Sequence, residues 1–212
     1  MKYKYVLLLG RAGCGKSALY RELEKRILES GQDITFERVD DFPKLWAAVE
    51  RDDALEKEGK ERIYFARFND GELSLINDDL FNVILKEVNL DVLKIDKSDH
   101  MIFLEFARSN YVEAVQSFDK SILDFCIVIY MEVSFDICWA RNVARHEATI
   151  DQGGDDHLVP RGEMEKRFLY DDQDAFVQYM KDQNIPVVVV NNEADGEEHL
   201  KNQVEELFKY LF

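Results

Sequence analysis

One stretch near the start of the chain most restricts what it can fold into. Residues 10–17 read GRAGCGKS and fit the pattern G-x-x-x-x-G-K-[ST] at each required position. The glycines let the backbone curl until successive N–H groups point at one centre, where they bind phosphate oxygens. An apolar, strand-like run precedes the pattern at residues 3–9, and a helical pattern follows at residues 17–29. This order of strand, loop and helix places a positive helix end at the phosphates.

The residues of this loop are the predicted nucleotide-binding residues. In this pattern the lysine, Lys16, reaches the β- and γ-phosphates, and the hydroxyl of Ser17 ligates Mg²⁺. Cys14 is interpreted as a small side chain that fits beneath the phosphates, because a reactive thiol needs an exposed thiolate. The full predicted set is Gly10, Arg11, Ala12, Gly13, Cys14, Gly15, Lys16, Ser17 and Ala18.

Strand-like and helix-like patterns alternate along the rest of the chain. Further strands are predicted at residues 34–39, 101–106, 125–133 and 186–190, and further helices from Pro43 and at 80–88, 111–123, 135–147, 171–183 and 196–212. Asp-Gly at residues 70–71, between two short apolar runs, predicts a β-hairpin. Four consecutive valines at 187–190 suit a strand buried on both faces. The pattern predicts a single α/β domain, a three-layer α/β/α sandwich around a parallel sheet.

Composition excludes several classes of protein. With 46% apolar residues in 212, the chain can bury a sizeable core, and a mostly disordered chain is excluded. A net charge of −16 opposes general binding of nucleic acid or of anionic membranes. Three cysteines without a pairing pattern and no long apolar run predict a cytoplasmic protein without a membrane span. Four histidines without ligand spacing argue against a zinc site.

Charged residues near the ends of predicted strands are the candidate catalytic groups. Asp40 and Asp41 follow the second strand, where they either act on a substrate or cap the next helix. Glu105 ends an apolar run, where a carboxylate is costly unless it is paired or bound to metal. Arg141 and Arg145 lie four residues apart, on one face of a helix, which is either a phosphate clamp or an ordinary solvated face.

These features together resemble the P-loop nucleoside and nucleotide kinase family. Residues 39–42, Val-Asp-Asp-Phe, resemble the D-x-F motif of uridine and nicotinamide riboside kinases. Glu105 and Arg108 resemble the glutamate-arginine-serine motif of deoxynucleoside kinases, although two residues separate them here. The pair Arg141 and Arg145 is similar to the arginines that enter the lid of such kinases. After the last strand, Asn191-Asn192 resembles an adenine-side turn of the family.

The resemblance implies a fold, a reaction and roles for these residues. It implies a five-stranded parallel sheet, an acceptor-binding insertion at residues 44–96 and a lid at 149–167. The implied reaction uses ATP and Mg²⁺, with Ser17 and Glu105 at the metal and Lys16, Arg141 and Arg145 at the transferring phosphate. Asp40 or Asp41 would then orient the acceptor hydroxyl. The aromatic residues of the insertion are expected to pack in the core or hairpin rather than stack a ring: Trp46, Tyr64, Phe65 and Phe68.

The sequence therefore predicts phosphoryl transfer from ATP to a small hydroxyl- or phosphate-bearing acceptor, for which a nucleoside or nucleotide is the leading candidate. A GTPase is disfavoured because residues 191–195 lack the lysine of the guanine-reading N-K-x-D motif. Two alternatives stay open: an NTPase that hydrolyses nucleotide without an acceptor, and a kinase of polynucleotide ends. The acceptor and the oligomeric state are not readable from the sequence.

Overall fold

A computed structural model describes residues 2–67, 73–95, 100–151, 158–194 and 196–212. Strands and helices alternate along these residues. The strands are β1 (Tyr5–Leu9), β2 (Thr35–Asp40), β3 (Phe65–Arg67), β4 (Leu73–Leu75), β5 (His100–Phe106), β6 (Cys126–Glu132) and β7 (Val187–Asn191). The helices are α1 (Lys16–Glu29), α2 (Phe42–Lys57), α3 (Asp79–Ile95), α4 (Tyr111–Val115), α5 (Lys120–Leu123), α6 (Phe135–Asp151), α7 (Arg161–Phe168), α8 (Gln173–Asp182) and α9 (Glu197–Leu211).

The main sheet has five strands in the order β2-β5-β1-β6-β7, and each described pairing within it is parallel. The predicted five-stranded parallel sheet is therefore confirmed. The central strand β1 is fully buried, and its side chains alternate between the two faces of the sheet. Leu7 and Leu9 pack into one hydrophobic cluster, whereas Val6 and Leu8 pack into the other.

Helices cover both faces of this sheet. Buried apolar residues of α2, α3, α4, α5 and α8 form one cluster, and those of α1, α6, α7 and α9 form the other. Along α1, for example, Leu19, Leu23 and Ile27 recur at helical spacing and are completely buried. The fold is thus the predicted three-layer sandwich. Among the described helices, none combines the length and apolarity that crossing a bilayer requires.

Three local predictions were wrong. The helix expected over residues 111–123 is two short helices, because the Asp119 carboxylate accepts the Ser121 N–H and starts a new one. The valine strand β7 lies at the sheet edge, so Val189 is 42% exposed rather than buried on both faces. Helix α6 continues to Asp151, beyond its predicted end at residue 147. Helix α7 begins within the predicted lid, where no helix was predicted.

The expected hairpin is present as β3 and β4, which pair antiparallel with Phe65 opposite Leu75. Its predicted Asp-Gly turn lies outside the described residues. The hairpin is fastened to α2 by Asp52, which is completely buried. Its carboxylate accepts the backbone N–H groups of Ile63, Tyr64 and Phe65 at 3.0, 2.8 and 2.7 Å. Those three bonds fix the hairpin beside the helix.

The strand register places the ends of three strands at one edge of the sheet. Asp40, the last residue of β2, lies opposite Glu105 of β5, and Phe106 of β5 lies opposite Leu9 of β1. The glycine-rich loop follows β1 at the same edge. Because ligands of open α/β sheets bind beyond the carboxyl ends of the strands, this edge is the place to look for a site.

Candidate active site

Two glycines in the middle of the glycine-rich loop adopt a left-handed conformation that strongly favours glycine. Gly13 and Gly15 have φ angles of +82° and +100°. A Cβ atom on Gly13 would lie 2.3 Å from the carbonyl oxygen of Cys138, and one on Gly15 would lie 2.7 Å from Nδ2 of Asn192. The loop is therefore held tightly between the start of α6 and the residue after β7.

Side chains from distant elements hold the loop in place. The Asn192 amide donates to the carbonyl oxygen of Cys14 at 2.9 Å, and the N–H of Gly10 donates to the Tyr111 hydroxyl at 3.2 Å. The Arg11 guanidinium lies 3.0 Å from Asp171 and donates to the carbonyl oxygens of Phe168 and Val133. These contacts give Arg11 and Asn192 anchoring roles that the sequence did not indicate.

Two residues inside the loop are buried. Cys14 is completely buried, and burial raises the pKa of its thiol, so it is held as the uncharged thiol. Lys16 is only 7% exposed. Its ammonium group folds back onto the loop, where Nζ donates to the carbonyl oxygens of Gly10 and Arg11 at 2.8 and 2.9 Å. The ammonium group of Lys16 thus lies at the centre of the glycine loop.

Three oxygen-bearing side chains converge on the guanidinium of Arg38. Its Nη2 lies 3.0 Å from the Ser17 hydroxyl, 2.8 Å from Oδ2 of Asp40 and 2.7 Å from Oε2 of Glu105. The Ser17 hydroxyl also lies 3.3 Å from Oε1 of Glu105. Burial raises the pKa of Glu105, whereas the nearby Lys16 and Arg38 charges lower it.

This convergence tests whether the site suits a divalent cation. Mg²⁺ prefers hard oxygen ligands, above all carboxylates and hydroxyls. Ser17, Asp40 and Glu105 supply oxygen donors of this kind. They already surround Nη2 of Arg38, so their arrangement stabilises a positive charge at that position. The residues therefore fit Mg²⁺. Within the described parts of the chain, no group of three His, Cys, Asp or Glu side chains forms a separate metal site.

A cavity of about 570 Å³ opens above the loop, and we call it the phosphate cavity. The structure brings together in its wall the residues predicted to be catalytic. These are Lys16, Asp40, Asp41, Glu105, Arg141 and Arg145. Ala12, Gly13, Gly15, Ser17 and Ala18 of the predicted loop also line it, whereas Gly10, Arg11 and Cys14 are not among the residues that line the cavity.

The two arginines of α6 also line this cavity. Arg141 donates to the carbonyl oxygens of Asn192 and Ala194 at 2.9 and 3.3 Å, so it also ties α6 to the segment after β7. Arg145 lies 3.4 Å from Oδ1 of Asn142 on the same helix. The cavity wall thus combines arginines of α6 with carboxylates from the ends of β2 and β5.

A second cavity of about 220 Å³ adjoins the first, and we call it the apolar cavity. Its wall combines α2, the hairpin and α3 with residues 158–168, so the predicted insertion and the far side of the predicted lid meet there. Asp41 lines both cavities, whereas Asp40 lines only the phosphate cavity. Trp46 and Phe65 also line the apolar cavity, in addition to the core packing that was predicted for them.

Asp41 is paired with a residue whose position was unexplained by the sequence. Nη1 of Arg108 lies 2.5 Å from Oδ2 of Asp41, and the arginine side chain is 9% exposed. Burial raises the pKa of Asp41, and the Arg108 charge lowers it. Asp41 does not cap α2 with its side chain, so the helix-capping role considered for this residue is wrong. The Asp40 carboxylate instead accepts the N–H of Phe42.

Sequence reasoning missed Arg38, and it named Arg108 only for its spacing from Glu105, without its contact to Asp41. Arg38 precedes Asp40 by two residues in β2, and residues two apart lie on the same face of a strand. That spacing was a usable signal. Arg108 carries no comparable signal, because its partner Asp41 is 67 residues away along the chain.

Comparisons with known proteins agree with this fold. No protein-family model and no curated protein matches the chain. Among solved structures, "Crystal structure of APE1195" aligns over 100% of this chain and 96% of its own, with a TM-score of 0.57 and 14% identity. The APS kinase of Mycobacterium tuberculosis, in complex with AMPPNP and APS, aligns over 99% and 98%, with a TM-score of 0.55 and 14% identity. TT1252 from Thermus thermophilus aligns over the whole of both chains at a TM-score of 0.51 and 13% identity.

These likenesses define the class of fold. The chain has a P-loop kinase fold over its full length, with the sheet order and flanking helices described above. Identity near 14% does not extend the likeness to a particular activity.

Proposed function

We propose that the protein transfers the γ-phosphoryl group of ATP, with Mg²⁺, to a small acceptor. One observation carries the proposal: Asp41 stands in the wall shared by the phosphate cavity and the apolar cavity. A carboxylate in that position can touch a hydroxyl in the apolar cavity while the triphosphate lies on the glycine loop. A nucleotide-hydrolysing switch has no need of the second cavity.

The proposal gives each charged group a role. Lys16, Arg141 and Arg145 stabilise the negative charge that spreads over the transferring phosphoryl group. Ser17, Asp40 and Glu105 would hold Mg²⁺, which when bound would neutralise phosphate charge. These three side chains contact the Arg38 guanidinium, which would have to leave them to make room for the cation.

Asp41 orients the acceptor and takes its proton. The acceptor oxygen forms a bond to the γ-phosphorus, and the bond from that phosphorus to the bridging oxygen breaks, so that ADP leaves with that electron pair. The hydroxyl proton passes to the Asp41 carboxylate. The Arg108 guanidinium holds this carboxylate in one orientation.

The use of ATP is supported by the likeness to the APS kinase, whose structure was determined with AMPPNP and APS. A polynucleotide acceptor is disfavoured, because a net charge of −16 repels a phosphate backbone. Hydrolysis without an acceptor remains the second candidate. It is favoured only if the apolar cavity takes no ligand.

The deciding experiment measures ADP release from Mg-ATP by the pure protein. It is run alone and with pools of nucleosides, nucleotides, sugars, hydroxylated carboxylic acids and short oligonucleotides. We expect release to rise sharply with one small-molecule pool and to stay low with oligonucleotides. Release that is substantial and ignores every pool would instead support the hydrolysis reading.

A further inference from the structure

The residue types that line the apolar cavity limit which acceptors can bind there. This inference rests on the function proposed above. Of the described residues that line it, fourteen are apolar and four are charged. None is Ser, Thr, Asn or Gln. A sugar presents hydroxyl groups on all sides, and each needs a hydrogen-bond partner when it is buried. Among the described residues of this wall, only the four charged side chains can supply such partners, so the described part of the wall fits a flat, mostly apolar body.

The four charged residues are not equally free to bind a ligand. Arg167 is already engaged: it lies 2.9 Å from Glu163, 2.8 Å from Asp78 and 3.3 Å from a backbone carbonyl oxygen. Glu163 also accepts the Ser74 hydroxyl at 2.5 Å. Each nitrogen of the Arg167 guanidinium therefore already contacts an oxygen atom of the protein.

Arg108 is different. Its Nη1 donates to Asp41 and to the carbonyl oxygen of Ala107, but its Nε and Nη2 are buried and have no hydrogen-bond partner among the described residues. Nε and Nη2 form one edge of the guanidinium, and their N–H groups point in parallel, as a two-toothed fork. The Phe81 ring covers one face of the group, with 4.4 Å between the guanidinium carbon and the ring centroid. A buried, unsatisfied fork of this kind is costly unless a ligand uses it.

The charge balance of the cavity decides which oxyanion suits that fork. Two arginines and two carboxylates line the wall, so their charges cancel. A singly charged carboxylate adds one negative charge beside Asp41 and Glu163, whereas a phosphate adds up to two. Because burying charge without compensation is expensive, the carboxylate is the better match.

We infer that the acceptor is a hydroxylated carboxylic acid with a flat, apolar body. Its carboxylate binds the Nε–Nη2 edge of Arg108, its body packs between the aromatic side chains of Trp46, Phe65 and Phe81, and its hydroxyl meets Asp41. Arg108 is thereby a specificity-determining residue. Because Arg108 contacts both Asp41 and the acceptor's carboxylate, it also sets the distance within the acceptor between that carboxylate and the reacting hydroxyl.

The test is an NMR titration of the nucleotide-free protein with four probes. They are 4-(hydroxymethyl)benzoate, its neutral amide, the corresponding aryl phosphate and ribose. We expect the benzoate to bind about tenfold more tightly than the amide, in line with a charge-assisted hydrogen-bonded pair, and ribose not to bind. Binding of the amide as tightly as the benzoate, or tighter binding of ribose or of the phosphate, would overturn the inference.

Variants identify the group responsible. Arg108→Gln should abolish the preference for the benzoate over the amide, and Arg108→Lys should reduce it, because lysine keeps the charge but loses the fork. Arg51→Gln, an exposed arginine on α2, should leave the preference unchanged. If Arg108→Gln does not fold, the reduction in Arg108→Lys decides. A preference of undiminished size in a folded Arg108 variant excludes this residue as the anion-binding group.

The titration distinguishes the proposed acceptor class from the proposed kinase activity. The titration contains no ATP, so it tests the acceptor class without testing phosphoryl transfer. Failure of the benzoate to bind, together with acceptor-dependent ADP release from another pool, would refute the acceptor class and keep the proposed kinase. Preferential benzoate binding without any AMPPNP binding would keep the ligand site and refute the kinase.

Discussion

Nη2 of Arg38 lies 2.7 Å from Oε2 of Glu105, and the same nitrogen contacts Asp40 and Ser17. A side-chain cation thus occupies the centre of a donor set that suits Mg²⁺. Under the proposed function, Mg²⁺ has to displace the Arg38 guanidinium from this position. The first prediction concerns the free energy of that displacement.

Replacement of Arg38 by Met should strengthen cation binding. The carboxylates of Asp40 and Glu105 then lose the counter-charge of Arg38, so a divalent ion gains more by binding. We expect the Kd for Mn²⁺, measured by EPR without nucleotide, to fall by about tenfold. Added Mg²⁺ should also raise the Tm of the variant more than that of the unmodified protein. Arg21→Met removes an exposed arginine from the same cavity and is the control. Equal Mn²⁺ affinity in both variants would contradict this site.

Lys16→Ala should abolish phosphoryl transfer and leave the fold intact. The lysine supplies charge at the centre of the loop, and loss of such a group typically lowers turnover by about a thousandfold. ADP release measures the loss, and circular dichroism checks the fold. Lys25→Ala, on the exposed side of the same helix, should behave as the unmodified protein does. Full activity in Lys16→Ala would refute the role of the loop.

Asp40 and Asp41 should be separable by mutation. Asp41→Asn removes the proton acceptor, so turnover should fall by about 10²–10⁴-fold with AMPPNP affinity unchanged. Asp40→Asn should instead raise the Mg²⁺ concentration needed for half-maximal activity, because this carboxylate contacts the cation position. Undiminished turnover in Asp41→Asn would show that another group takes the proton.

The parts of the site that the sequence predicted are those that depend on local pattern. The glycine loop is a contiguous motif, and Asp40 and Glu105 each end an apolar strand, so a parallel sheet brings them to one edge. Arg38 shares a strand face with Asp40, but only the pairing of β2 with β5 shows that it faces Glu105.

The apolar cavity was not predictable in the same way. Its wall joins α2, the hairpin and α3 to residues 158–168, and no local pattern states that these segments meet. The contact of Arg108 with Asp41 has the same origin, since it depends on how α2 and the end of β5 pack. Long-range packing therefore forms the apolar cavity, whereas a local motif forms the glycine loop.

The cysteines should be unreactive in the native protein. Cys14, Cys126 and Cys138 are buried, and burial raises the pKa of each thiol, to about 12 for Cys126 and Cys138. Since the thiolate is the reactive form, a thiol-specific reagent at pH 8 should label none of them quickly. Unfolding in guanidinium should expose all three. Fast labelling of Cys14 in the native protein would show that this thiol is accessible and reactive, against the interpretation of Cys14 as a small packing residue.

Asp52 should be essential to the apolar cavity without touching a ligand. Its buried carboxylate holds three N–H groups at the start of the hairpin, one of which belongs to Phe65, a residue of the cavity wall. Asp52→Ala leaves those donors unsatisfied, and we expect the free energy of unfolding to fall by about 3 kcal/mol. Urea denaturation measures this loss.

The adjacent Asp53 provides the matched control. Its carboxylate is 32% exposed and pairs with Arg62 and Arg67 at 2.6 and 2.9 Å, and ion pairs of a partly exposed carboxylate contribute about 1 kcal/mol. Asp53→Ala should therefore lower stability only slightly and leave probe binding unchanged, whereas Asp52→Ala should weaken benzoate binding as Phe65 loses its support. Equal effects of the two substitutions on stability and binding would mean that the hairpin is held by its apolar contacts, not by the buried carboxylate.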